Sequence, residues 1–299
     1  MGSWRTPAEK TESLIVLAHR LTDRDRAIIS DLGRLRVLTL EQIAKAHFTS
    51  KSSARDRMDT LRELGVVDRF RPSTRAAYRY VLSWSGLRLH HAAVEEARLA
   101  QPTAYRAGGE KPRPAPSRPA ADALIARLIA NPMRAHLEAV NDFYTRLAAS
   151  CRASDGVDLV RWYGEAEATA LLDVPYLRPD GAFEVEVAGQ RWRCWFEHDT
   201  GSELASVLAG KATTYRAQLS HKSLYRHFGN EPQCLLFELT KPGREANLHP
   251  ALAEPAEDFT IATCTTDRSA DPLGPIWQLA GETAGRLRTF AELPARLLG

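Results

Sequence analysis

Five prolines (Pro102, Pro112, Pro114, Pro116, Pro119) and the pair Gly108-Gly109 fall within the twenty residues from Gln101 to Ala120, a stretch almost without large aliphatic side chains. Proline withholds a backbone donor and fixes φ at about −65°, so neither a helix interior nor a central strand runs through such a segment. The stretch reads as a semi-stiff tether. It divides the chain into a module over 12–100, a linker over 101–120 and a module over 121–299. Each module is long enough to bury a core of its own.

Charge separates along the same line. The 299 residues carry a net charge of +3, but residues 1–100 hold 18 Lys and Arg against 12 Asp and Glu, and the remainder 22 against 25. A basic module attracts polyanions, of which nucleic acid is the commonest. Hydrophobic residues make up 44% and charged residues 26% of the chain, which excludes collagen-like and wholly disordered classes. No apolar run approaches the roughly 20 residues that span a bilayer. At the start, Glu9, Glu12 and His19 frame only a short apolar patch, unlike a secretory leader. Cys151, Cys194, Cys234 and Cys264 stand far apart with no C-x-x-C pair, so a reduced, cytoplasmic setting is expected.

The first module reads as three helices and a hairpin. Thr22-Asp23 caps a helix with the stripe Ile28, Ile29, Leu32 and Leu35, and Thr39 opens a short second helix through Phe48. Ser50, Ser52 or Ser53 caps a third, with Ala54, Met58, Leu61 and Leu64 inward and Gly65 closing it. VVDRFRP and AYRYVLSW then form two strand-prone runs. This is the order of a winged helix-turn-helix. From Lys51 to Arg79 eight basic residues face four acidic ones. Ser52 and Arg55 point away from the core near the third helix's N-terminus, where such a helix meets base edges. Arg69, Arg71, Arg75 and Arg79 stud the wing, and Lys51 and Arg57 complete the basic set. Asp56 and Asp59 share the exposed face and oppose a phosphate backbone, so a protein-contact role for the module stays open.

The second module reads as helix, three strands, helix, strand. An apolar helix breaks at Pro132 and resumes from Met133 with Leu137, Val140, Tyr144 and Leu147 inward, leaving Glu138 and Asp142 on the solvated side. Strands follow over 158–163, 181–187 and 191–197, the last two joined at Ala188-Gly189-Gln190. Thr200-x-x-Glu203 opens a helix to about Phe228, and QCLLFEL and Phe259–Cys264 supply further strands. Three acids sit at the strand ends: Asp180, Glu197 and Asp199. Two such carboxylates side by side suit a hard cation, Mg²⁺ or Mn²⁺, that activates water and offsets charge on a phosphodiester. Lys211 falls in the middle of the stripe Leu204, Leu208, Tyr215 and Leu219. A buried ammonium needs a carboxylate partner or a route to the rim, and Glu197 or Asp199 is nearest. Beside two acids it suits a scissile phosphate, though a plain ion pair gives the same pattern. No G-x-G-x-x-G or G-x-x-x-x-G-K-[ST] loop is present.

LTDRDRAIISDLGRLRVLTLEQIAKAHF, SSARDRMDTLRELGVVDRFRP, HLEAVNDFY, WYGE, RPD, FEHDTGSE and the pair Lys211 and Tyr215 together resemble the replication-relaxation proteins carried by actinobacterial chromosomes, plasmids and integrative elements. The resemblance implies an α+β protein: an N-terminal winged helix binding double-stranded DNA, and a C-terminal domain with the αβββαβ core of PD-(D/E)xK nucleases. It implies work in plasmid or mobile-element replication or transfer, beside other replication or mobilisation proteins. By that analogy Asp180 matches the motif aspartate and Glu197 the second acid, both as metal ligands. Asp199 stands where the motif's lysine is expected, so Lys211 takes that role from the next helix or the fold persists without cleavage. In the second case the C-terminal domain serves dimerisation or partner docking in a non-enzymatic regulator.

Overall fold

The computed structural model describes residues 14–100, 113–219, 233–252, 259–282 and 285–296. Most of the expected tether, 101–112, lies outside the described residues. The chain divides into two compact units, 1–138 and 139–299. Each is a mixture of helices and sheet, and none of the described helices is long and apolar enough to cross a membrane.

In the first unit α1 (Leu14–His19), α2 (Asp23–Leu35), α3 (Leu40–His47) and α4 (Lys51–Glu63) precede β2 (Val67–Phe70) and β3 (Arg79–Leu82). The short β1 (Leu38–Thr39) joins them in the sheet order β1-β3-β2. The helix starts follow local chemistry. Thr22 and Thr39 each form a reciprocal capping box, with Asp25 and Gln42 respectively, and Ser50 caps α4 by accepting from the Ser53 amide. Gly65, at φ 68°, turns the chain out of α4. Ile28, Leu32, Ile43, Ala54, Met58 and Leu61 are buried at the centre, matching the stripes expected from the sequence. Two helices complete the unit: α5 (Trp84–Ala100), which no sequence pattern marked, and α6 (Arg118–Ala130). Ile125 and Leu128 of α6, placed by sequence in the second module, pack with Val37, Phe70 and Val81.

The second unit is built on a seven-stranded mixed sheet in the order β10-β9-β8-β7-β6-β5-β4. Its strands are β4 (Val157–Gly164), β5 (Gly181–Val187), β6 (Gln190–Asp199), β7 (Gln233–Leu239), β8 (Thr260–Thr265), β9 (Trp277–Leu279) and β10 (Leu287–Arg288). β6, β7 and β8 run parallel and the other pairs antiparallel. Ala188 (φ 51°) and Gly189 (φ 80°) make the tight turn between β5 and β6. Helix α7 (Arg134–Ala153) covers one face through Phe143, whose ring stacks 4.0 Å from Phe196 and touches Trp162, Phe183 and Trp277. The opposite face takes α8 (Glu165–Leu172), α9 (Ala205–Leu219) and α10 (Pro242–Leu248), with Leu208, Ala212 and Tyr215 against Trp195, Leu235 and Phe237. Helix α9 starts at Ala205, not at the expected Thr200 cap, because Asp199 and Arg244 hold residues 200–204 in a turn. Leu204 is accordingly exposed instead of buried.

Gly181, at the head of β5, sets how closely the aromatic layer approaches. A Cβ there would lie 2.7 Å from a ring carbon of Trp162, itself buried and stacked on Phe183. Gly181→Ala should therefore destabilise the protein by about 1–3 kcal/mol through overpacking, measured by urea unfolding; an unchanged midpoint would show that the indole layer yields freely.

Candidate functional site

The β5–β6 ladder pairs Gly181 with Phe196. Asp180, one residue before the ladder, therefore falls level with Glu197. Its Oδ2 accepts the backbone N–H of His198 at 2.8 Å. Alternation along β6 turns Trp195, Glu197 and Asp199 to the face that α9 covers, and Cys194, Phe196 and His198 to the face that α7 covers.

Helix α9 delivers two side chains to one carboxylate. Tyr215 donates its hydroxyl to Glu197 Oε1 at 2.8 Å, and Lys211 Nζ lies 3.4 Å from Oε2. The i, i+4 spacing puts both donors on one side of the helix. Lys211 also pairs with Glu203 at 3.1 Å and keeps its side chain 32% exposed, so it is a rim cation and not a fully buried one. Glu197 is only 3% exposed. Burial and then the charge of Asp180 push its carboxyl up to about 7, against the opposing pull of Lys211 and Tyr215. Burial, with the Glu197 charge behind it, holds the Tyr215 hydroxyl well above its ordinary value. For Lys211, burial acts downward, but Glu197, Glu203 and Asp180 outweigh it and raise the ammonium.

Of the four residues expected to converge, Asp180, Glu197 and Lys211 do so and Asp199 does not. Asp199 is buried in a two-point ion pair with Arg244, in which Arg244 Nη2 lies 2.9 Å from Oδ1 and Nε bonds Oδ2. It also accepts the Gly201 amide at 3.0 Å. Arg244 reaches on to the carbonyls of Gly201 and Glu203, so this carboxylate shapes a turn. Among the described residues no three His, Cys, Asp or Glu side chains gather as a metal-binding group. What remains is a pair of acids with a lysine and a tyrosine beside them.

Behind the pair lies a network that the sequence did not disclose. Parallel register sets His198 level with Glu238 of β7, and His198 Nδ1 lies 2.9 Å from Glu238 Oε2. Glu238 Oε1 accepts from Arg146 at 2.8 Å and from Ser269 at 2.6 Å. Burial would raise the Glu238 carboxyl, yet the bonds from His198, Arg146 and Ser269 hold it below its ordinary value. Tyr215 was legible as a core residue and, with Lys211, as part of the family resemblance, but not as a partner of Glu197; its i, i+4 relation to Lys211 was the available signal. Arg244 and Glu238 gave none, because they sit on α10 and β7, both remote in sequence from β6.

The basic residues of the first unit divide into occupied and available groups. Arg57 bonds the wholly buried Asp25, with Nε 2.7 Å from Oδ1. Burial alone would raise the Asp25 carboxyl, but Arg57 and Thr22 bring it below its ordinary value. Arg79 makes a two-point pair with Glu138, at 3.0 and 2.7 Å, so Glu138 is not the solvated acid expected. Arg69 and Arg71 lie over the ring of Tyr78, 4.0 and 3.9 Å from its centroid. Arg69 also approaches Asp59 at 3.5 Å. Lys51 makes an exposed pair with Glu41 at 3.3 Å, worth little in water. Ser52, Arg55 and Arg75 are exposed, and among the described residues neither of these two arginines has an ion pair.

Residues 29–233 match the family model described as replication-relaxation. The chain belongs to the replication-relaxation family. The matched span of this replication-relaxation protein runs from α2 to the first residue of β7, so it takes in Asp180, Glu197, Lys211 and Tyr215 and leaves Glu238 and Arg244 outside. No curated protein and no solved structure matches the chain.

The raised Glu197 carboxyl has a measurable consequence. Between its ordinary value of 4.5 and about 7 the folded protein binds this proton more tightly than the unfolded chain, so Glu197 costs stability as pH rises through that window. In Glu197→Gln this slope is absent. Relative to the parent, the variant should gain about 2–3 kcal/mol across the window in urea unfolding at stepped pH. Parallel curves for the two proteins would place the Glu197 titration in its ordinary range.

Proposed function

We propose that this replication-relaxation protein binds duplex DNA through a winged helix in its first unit and cuts DNA with a divalent cation at Asp180, Glu197 and Lys211, in plasmid or mobile-element replication or transfer. The observation that carries the catalytic part is Asp180 set level with Glu197, with Lys211 3.4 Å from the latter. Hard oxygen donors fit Mg²⁺ or Mn²⁺, which usually take one or two carboxylates and complete their shell with water and phosphate oxygens. The repulsion that helps lift Glu197 towards 7 is what a cation between the acids would relieve. Such an ion would activate water and offset charge on the phosphodiester. Lys211, raised and partly exposed, is suited to neutralise a phosphate oxygen.

The order α7, β4, β5, β6, α9, β7 supports a PD-(D/E)xK-like core, with α8 inserted between the first two strands. The order β1, α3, α4, β2, β3 with its three-stranded sheet supports the winged helix, with α4 as the reading helix. Ser52 and Arg55 at the start of α4 and Arg71 and Arg75 after β2 are its available contacts, joined by Lys51 and Arg69. Arg57 and Arg79 serve the fold.

A second reading has its own support. Asp199, at the position of the motif lysine, is held by Arg244, and both oxygens of Glu197 already accept protein donors. In that reading the second unit pairs with another copy, or with a relaxase or replication initiator, and cuts nothing.

With Mg²⁺ or Mn²⁺, supercoiled, linear or forked DNA should be cleaved by the parent chain but not by Asp180→Asn or Glu197→Gln, while gel-shift affinity persists. Binding without cleavage on all substrates would favour the regulator. In the same binding assay, Arg55→Ala or Arg75→Ala should weaken affinity and lower the salt slope by about 0.9 per lost phosphate contact. Arg57→Ala should instead leave the slope unchanged and cost about 2–3 kcal/mol of stability, by stranding the buried Asp25 charge. Equal loss of DNA affinity in all three would assign Arg57 to the interface.

A further inference from the structure

We propose that the first unit holds a binding site for a small amphipathic carboxylate, in a cavity of about 590 Å³ between α2, β3, α5 and α6. Its walls are apolar: Leu32, Val81, Leu87, Leu124, Ile125 and Leu128. The volume lies within the roughly 300–1,000 Å³ typical of small-molecule sites. Apolar walls favour a hydrocarbon or aromatic body over water, since water there finds few hydrogen-bonding partners.

The polar part of the lining is cationic. Arg36 and Arg127 line the cavity together with Asn131, and both arginines are exposed to solvent, so they belong to its open side. Among the described residues, neither arginine side chain has a hydrogen bond or an ion pair. Arg36 caps the C-terminus of α2 and Arg127 lies in the last turn of α6, so each faces a helix end of about half a negative charge. Two full positive charges exceed that, and the mouth keeps a positive balance. An apolar interior beneath two cations matches a carboxylate head on an apolar body. A neutral ligand offers the arginines only an uncharged acceptor, and a cationic one is repelled.

The backbone at Arg36 points the same way. Its φ of 68° lies where L side chains rarely go and where glycine is the ordinary residue after a helix. Strained non-glycine positions cluster at ligand clamps. The conformation also supplies a clean probe, because Arg36→Gly deletes the guanidinium and suits the existing backbone.

Calorimetric titration of the full chain with decanoate, decan-1-ol and decyltrimethylammonium tests the assignment. Decanoate should bind saturably at one site, with the alcohol and the cation about ten-fold weaker or more, the scale of a lost charge-assisted hydrogen bond. Arg36→Gly should weaken decanoate about ten-fold and leave the alcohol unchanged. Leu124→Trp should block both, and because Leu124 is 44% exposed the larger ring adds to the cavity without invading the core. Equal affinity for decanoate and decan-1-ol, an Arg36→Gly variant that binds decanoate as the parent does, or no saturable binding would each overturn the proposal. None of these readouts depends on DNA binding or cleavage.

Discussion

Glu197 is a carboxylate placed where water barely reaches, and the second unit is arranged around that cost. Moving an isolated carboxylate out of water costs several kcal/mol even after relaxation, so the charge must be answered locally or given up to a proton. Here both happen in part. The hydroxyl of Tyr215 and the ammonium of Lys211 each take one oxygen, while Asp180 across the ladder works against them. Those contacts fix how α9 docks. Leu208, Ala212 and Tyr215 seat it on Trp195 and Phe237, and Lys211 then falls beside the strand end. The register of β5 on β6, kept tight by Gly181 against Trp162, brings Asp180 level with the same group. Packing and electrostatics thus select one arrangement together.

On the other side of the sheet the same strand handles charge differently. His198, one residue on, enters a buried set with Glu238, Arg146 and Ser269 in which all three partners favour an ionised Glu238 carboxylate. Adjacent strands therefore hold one acid pushed towards its neutral form, Glu197 of β6, and one stabilised in its charged form, Glu238 of β7. The difference comes from partners: Glu238 meets an arginine, a histidine and a hydroxyl, whereas Glu197 meets a second acid. In the first unit, Asp25 shows the structural use of such pairing, since it caps α2 and anchors Arg57 of α4 at once.

Much of this was legible before any coordinates. Capping residues and apolar stripes located α2, α3 and α4, and alternation located β5 and β6 with their turn. Asp180 and Glu197 could be paired because hairpin register follows from turn length. Three things could not be read. Helix α5 has no clean apolar stripe, so its 17 residues left no periodic trace. The partner of Asp199 is Arg244, 45 residues away in helix α10, and local pattern carries no such information. Basic residues can be counted in a sequence, but their employment cannot. Arg57 and Arg79 are spent on Asp25 and Glu138, whereas Arg55 and Arg75 of equal formal charge stand open.

The seven strands of the large sheet lie side by side in the order in which they occur along the chain. No later strand inserts between two earlier ones, so a chain emerging from the ribosome can lay each strand onto the growing margin of those already formed. The β5–β6 hairpin, with the acid pair at its end, belongs to the early part of that accretion. In such an order β7 would meet a margin already built, and β8, β9 and β10 could extend the sheet outward without reopening it.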